Sequence, residues 1–120
     1  GETSRFALAL KSIIAKSMHL STMIFDEIDT GVSGEVAHKM GLIMQELSKT
    51  HQIIIITHSP QIAAKGDLHL FVYKVEGENK TSSLVKALDK EARVVELSKM
   101  LSGDKPSEAA IANARSLLGV

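Results

Sequence analysis

The sequence predicts an α/β fold: a parallel βαβ core with helices, followed by a C-terminal hairpin and two terminal helices. Three observations carry that prediction. Thr22-Met23-Ile24-Phe25 is a short apolar strand that stops at Asp26 and Glu27. Val36, Met40, Ile43, Met44 and Leu47 then recur at helical spacing to about residue 49. Ile53-Ile54-Ile55-Ile56-Thr57 follows, and its unbroken β-branched run suits a strand buried on both faces of a parallel sheet. Strand, helix and strand in this order make a right-handed crossover.

The other elements are placed by the same rules. Residues 3–17 carry Phe6, Leu10, Ile13 and Ile14 at helical spacing, with Lys11, Ser12 and Lys16 toward the other side. This is an amphipathic helix that Thr3 or Ser4 can cap. Ser33 is the expected N-cap of the central helix, and Glu35 falls in its first turn, where the helix dipole favours an acid. Pro60 starts a short helix through Ala64 that Gly66 stops. Leu68, Leu70 and Val72 alternate with His69, Phe71 and Tyr73 as a strand, Gly77-Glu78-Asn79-Lys80 turns the chain, and Thr81 to Leu88 returns as the second strand of a hairpin. A helix over 91–101 turns Val94, Leu97 and Leu101 inward and ends near Gly103. Asp104 and Pro106 then start a last helix with Ile111, Ala114, Leu117 and Leu118 on one side.

At 120 residues the chain amounts to one domain at most, with a modest core. The formal net charge of zero gives no bulk attraction for nucleic acid or membrane, although a locally basic face is compatible with it. The absence of cysteine removes disulfides and thiolate metal sites and is compatible with a reducing compartment. No apolar run approaches the roughly 18–20 residues that span a bilayer, and the N-terminus lacks the basic-then-apolar layout of a secretory signal. The chain opens on Gly1-Glu2 without a methionine and reads as a piece of something longer.

The chemistry concentrates at the ends of the two central strands. Ligands of parallel α/β sheets bind beyond the carboxyl ends of the strands. Asp26-Glu27 ends the first strand and Thr57-His58-Ser59 the second, so the two polar clusters are expected at one sheet edge. An ionised carboxylate withdrawn from water needs a cation or several donors to offset its desolvation. Asp26 is placed to hold Mg²⁺, directly or through water. Glu27 points the other way if strand geometry persists, and is placed to polarise an attacking water, the plain alternative being that the two acids merely terminate the strand. His58 suits a terminal phosphate or the orientation of that water, or else a satisfied structural role. Asp29, Gly31 and Gly34 also fit a plain turn. Gly1-Glu2-Thr3-Ser4-Arg5 reads either as an anion site at a helix start or as an ordinary cap. His19, His38, His51 and His69 show no metal-ligand spacing. A G-x-x-x-x-G-K-[ST] phosphate loop is absent from the 120 residues.

These motifs resemble a family. Ile24-Phe25-Asp26-Glu27 is similar to the Walker B end of an ABC-type ATPase, Asp29-Thr30-Gly31 to its D-loop, Ile56-Thr57-His58 to its switch histidine, and Gly1-Glu2 to the tail of its signature motif. Within that superfamily the wording at 1–5, 25–34, 56–64 and 93–101 resembles the RecN-type DNA repair proteins of bacteria, relatives of the SMC proteins. The resemblance runs the length of the chain. It implies a partial P-loop NTPase lobe: residues 1–120 as the C-terminal segment of an ABC-type ATPase head, a single and incomplete domain. In that family an N-terminal segment bears the phosphate loop and a long coiled coil joins the two.

The implied roles are Mg²⁺ positioning for Asp26, catalytic base for Glu27 and γ-phosphate sensing for His58. Asp29 would cross a dimer interface toward the partner's phosphate loop, while Gly1 and Glu2 would close over the partner's ATP. The implied cofactors are ATP and Mg²⁺. The implied partners are the N-terminal segment of the same head, a second head in an ATP-sandwiched homodimer, and DNA, in the bacterial cytoplasm at the nucleoid and away from membranes. The phosphate loop, the glutamine loop and the start of the signature are missing from these residues, which implies a piece inactive by itself.

Three alternatives stay open. An ABC transporter's nucleotide-binding domain carries the same strand-end acids, but its wording after Asp29 and around Ser59-Pro60-Gln61 differs. A TOPRIM-like metal-dependent phosphodiesterase would use Asp26, Glu27 and Asp29, yet needs a further acid where the second strand ends in Thr57-His58. A purely structural dimerisation module would keep the acids without chemistry.

Overall fold

The computed structural model describes residues 21–120; the helix expected over 3–17, His19, and the candidate site residues Gly1 and Glu2 lie outside the described residues. The described residues fall into two compact units, divided between Lys65 and Gly66.

The first unit is the βαβ core. Strand β1 (Thr22–Asp26) pairs in parallel with β2 (Gln52–Ile56), Thr22 opposite Gln52 and Asp26 opposite Ile56. Helix α1 (Gly34–Leu47) makes the crossover. Ser33 caps it as expected, its Oγ accepting from the Val36 N–H at 3.3 Å. A single turn, α2 (Pro60–Ala63), follows β2, with proline in the first turn, where its missing N–H has no helical partner to lose.

Because side chains alternate across a strand, Met23 and Phe25 fall on one face, and both are buried with Ala37, Met40, Met44, Leu47 and Ile62. Ile53 and Ile55 pack against this cluster. The other face corrects the expectation that the Ile run is buried on both sides. Ile24, Ile54 and Ile56 are 60%, 42% and 51% exposed. Among the described residues the parallel sheet has two strands and helices on one face alone.

The helix stripe also differs by one position. Ala37, Met40, Gly41, Met44 and Leu47 are buried, whereas Ile43 is exposed. Ile43 sits about 100° around the helix from Met44, off the contact line. Gly41 belongs on that line because α2 comes close there: a Cβ would lie 3.1 Å from Lys65 Cγ and 3.7 Å from the Ile62 Cα.

The second unit is a hairpin and a helix pair. Strands β3 (Leu70–Glu76) and β4 (Thr81–Ala87) are antiparallel, and β3 begins two residues later than the alternation at Leu68 predicts. Helix α3 (Lys90–Ser102) is capped by Asp89, which accepts from the Ala92 N–H at 2.8 Å, and ends at Gly103 with φ 95°. Helix α4 (Glu108–Leu118) is capped by Ser107, rather than started by Asp104 and Pro106. Ser107 supplies the side-chain acceptor three residues before Ala110, which Asp104 is too far back to reach. Val94 and Leu97 of α3 and Ala110 and Ala114 of α4 are buried, and the two helices pack together. Arg115 fixes the outer side of the pair with two bonds to the Glu91 carboxylate, at 3.0 and 3.4 Å.

Candidate functional site

The first unit brings the polar ends of its two parallel strands together. Asp26 is the last residue of β1 and is exposed. Among the described residues no lysine or arginine pairs with it. A carboxylate at the open end of a parallel strand, without a protein counter-charge, has the donor chemistry for a hard cation such as Mg²⁺.

Glu27 leaves the strand. Its φ is +49°, the left-handed region that a residue with a Cβ rarely adopts. Backbone bonds over-determine that conformation. The Glu27 N–H donates to the Ile56 carbonyl at 2.8 Å, continuing the ladder by one rung. The Glu27 carbonyl accepts from both the N–H and the hydroxyl of Thr30, at 3.3 and 3.0 Å. The turn thereby interrupts strand alternation, and the Glu27 side chain is aimed by backbone geometry rather than by pleat.

What it is aimed at is His58. The imidazole Nε2 lies 3.0 Å from Glu27 Oε1, across 31 residues of sequence. The pair is solvent-facing, with the histidine side chain 88% and the glutamate 50% exposed. One carboxylate and one imidazole in contact at a sheet edge can together accept a proton from water and hold an adjacent acceptor.

Asp29 is half-buried and engaged within the chain. The Thr57 hydroxyl donates to Asp29 Oδ2 at 2.5 Å. The Thr57 hydroxyl oxygen itself accepts from the Ser59 N–H at 2.9 Å. Ser59 Oγ in turn donates to Gln61 Oε1 at 3.1 Å, which leaves α2 without a side-chain cap at Ser59. Gly31, with φ +79°, lets the chain turn from Asp29 toward α1. Asp29, Gly31, Gly34, His58, Ser59 and Gln61 line a cleft of about 370 Å³.

The structure thus joins Glu27 with His58 and sets Asp29 beside the same loop. Thr57 and Gln61 have no role that follows from the sequence alone. The signal for Thr57 was present as a hydroxyl directly before the histidine; its partner 28 residues earlier is visible only in three dimensions. Among the described residues no three His, Cys, Asp or Glu side chains gather into a metal-binding set, and no helix is long and apolar enough to cross a membrane.

No family model matches the chain. Among curated proteins it is 47% identical over 118 residues, 98% of its length, to DNA repair protein RecN of Rickettsia conorii. Over 118 residues in each case it is 39% identical to DNA repair protein RecN of Vibrio cholerae and of Bacillus subtilis. The chain spans 22%, 21% and 20% of these relatives, and the part it matches is C-terminal. Among solved structures it is similar to one from structural biochemistry of ATP-driven dimerization and DNA-stimulated activation of SMC ATPases. That similarity has a TM-score of 0.68 and 24% identity and covers 85% of this chain and 61% of the other. That similarity supports a mixed α/β fold built on a parallel sheet with helices.

Proposed function

We propose that this chain is the C-terminal segment of the ATP-binding and ATP-hydrolysing head of a RecN-type protein acting in DNA double-strand break repair and recombination, with residues 1–120 forming part of one domain. The observation that carries the reading is the contact between Glu27 and His58 at the ends of paired parallel strands. The 47% identity to a RecN protein, in an alignment covering 98% of this chain, supports it.

Bound ATP with Mg²⁺ would supply the phosphoryl group and its charge-neutralising cation. The residues of this chain would supply one part of the site. Asp26 would hold the cation through its exposed carboxylate. A lone strand-end acid fits a cation held largely by phosphate oxygens and water, as Mg²⁺ commonly is. Glu27 would accept a proton from the attacking water at Oε1 or Oε2, and His58 would keep that carboxylate oriented and meet the terminal phosphate. Asp29 would face a second head across a dimer interface, and Gly1 and Glu2 would close over that head's nucleotide. ATP-driven dimerization and DNA stimulation, described for the SMC neighbour, make a second head and DNA the expected partners, with the N-terminal segment of the same head completing the nucleotide site. The bacterial cytoplasm, at the nucleoid, is the place this reading assigns.

A two-metal phosphodiesterase is disfavoured by the end of β2, where Thr57 and His58 stand in place of a further acid. The test is ATP hydrolysis by the full-length polypeptide that contains this chain, with Glu27→Gln as control. Hydrolysis by the parent that falls at least about 100-fold in Glu27→Gln, with ATP still bound, is the expected result. Equal rates in the two proteins would sink the reading, and metal-dependent nicking of DNA instead would favour the phosphodiesterase.

A further inference from the structure

We propose that Thr57 is a positioning residue: its hydroxyl ties the Asp29 loop to the His58 loop and thereby sets the imidazole against Glu27. The proposal rests on the reading of Glu27 and His58 given above. His58 is 88% exposed, so little packing fixes its ring. Its position has to come from its backbone, and the residues on either side of it are the ones held. A hydroxyl has one proton to give and two lone pairs. Thr57 gives that proton to Asp29 Oδ2 and receives the Ser59 N–H on a lone pair.

Half of this arrangement is local and ordinary, since threonine hydroxyls often accept from the N–H two residues on. The other half is not local. A carboxylate 28 residues away, at the far end of the turn that follows β1, takes the proton. Donation to a charged acceptor also polarises the hydroxyl and strengthens its acceptance from Ser59. The two loops are therefore held through one atom, and a displacement of Asp29 is transmitted to the backbone that carries His58. If Asp29 is drawn toward a second head, the histidine loop responds through this bond.

The experiment compares Thr57→Val, which keeps the shape and removes the hydroxyl, with Thr57→Ser, which keeps the hydroxyl and removes the methyl. Both are made in the full-length polypeptide and followed by amide hydrogen exchange. In Thr57→Val the segments around 29–32 and 58–61 are expected to exchange about tenfold faster together, while Thr57→Ser keeps the parent's rates. Unchanged exchange in Thr57→Val, faster exchange in 58–61 alone, or equal loss in Thr57→Ser would each overturn the tie. For ATP hydrolysis, Thr57→Val is expected to lower kcat about tenfold, with the KM for ATP within about twofold, and Thr57→Ser to restore it. With the Asp29→Ala change already present, Thr57→Val should cost less than in the parent; an undiminished cost would also overturn the tie. Absence of hydrolysis in the parent counts against the ATPase reading, and the exchange comparison still decides the tie.

Discussion

His58 Nε2 sits 3.0 Å from Glu27 Oε1, although the two residues are 31 positions apart and both face solvent. A surface pair of this kind contributes little to stability, about 0–1 kcal/mol. Its placement beyond two parallel strand ends is the one that the proposed function uses. His58→Ala should leave the unfolding free energy of this chain within about 0.5 kcal/mol, while lowering ATP hydrolysis by the full-length protein about 100-fold. Urea unfolding and a steady-state assay check the two halves separately. A large loss of stability would make His58 a structural residue instead.

The left-handed backbone of Glu27 leads to a second expectation. A residue with a Cβ at φ +49° is strained by about 1–2 kcal/mol relative to glycine. Glu27→Gly should relieve that strain and raise stability by about 1 kcal/mol, less whatever glycine's extra freedom in the unfolded chain removes. The same change removes the carboxylate and should abolish hydrolysis. A variant more stable than its parent but inactive shows strain retained for function. A loss of more than about 1 kcal/mol, beyond what glycine's freedom in the unfolded chain accounts for, would mean that the turn is held by the side chain and not by the bonds from Thr30.

Much of this site was legible in the sequence, for identifiable reasons. The strand ends were marked by acids after Phe25 and by Thr57-His58 after the Ile run, and parallel pairing brings such ends to one edge whatever the loops do. The left-handed turn at Glu27 was not legible, because glutamate carries no propensity for it and the cause lies in bonds from Thr30 and to Ile56. Nor was the Thr57–Asp29 bond, which depends on where two loops meet. In the fold, periodicity found the central helix but misplaced Ile43. Hydrophobicity reports that a residue can be buried, and only the position of the neighbouring turn at Ile62 decides that Gly41 is buried in its place. The same holds for the Ile run, whose hydrophobicity suits burial on both faces although Ile54 and Ile56 are exposed.

Neighbouring residues of β1 provide a direct test of that face assignment. Phe25 is fully buried and Ile24 is 60% exposed. Phe25→Ala should destabilise the chain by about 3–5 kcal/mol, since it removes a ring and leaves a cavity between α1 and the sheet. Ile24→Ala should cost no more than about 0.5 kcal/mol in this polypeptide. Urea midpoints of the two variants decide it, and comparable losses would mean that both faces of the strand are covered.

The second unit is expected to respond to pH through His69. Its Nδ1 is buried without a hydrogen-bond partner among the described residues, while its backbone carbonyl accepts from the Leu88 N–H at 2.9 Å. Burial, and secondarily the positive charge of Arg93, hold its pKa below the ordinary 6.5. The unfolded chain takes up a proton as pH falls through 6.5, whereas the folded chain resists it until a lower pH. The unfolded state then binds more protons, so the stability present above 6.5 is lost progressively as pH falls toward the depressed folded value. Arg93 stays charged throughout and donates from a terminal nitrogen to the Gly66 carbonyl at 2.9 Å, so its charge remains in place while the histidine titrates. Unfolding by urea at pH 7.5 and pH 5 should show a loss of stability that is smaller in His69→Gln. A variant that loses as much as the parent over this interval would assign the pH dependence to other groups.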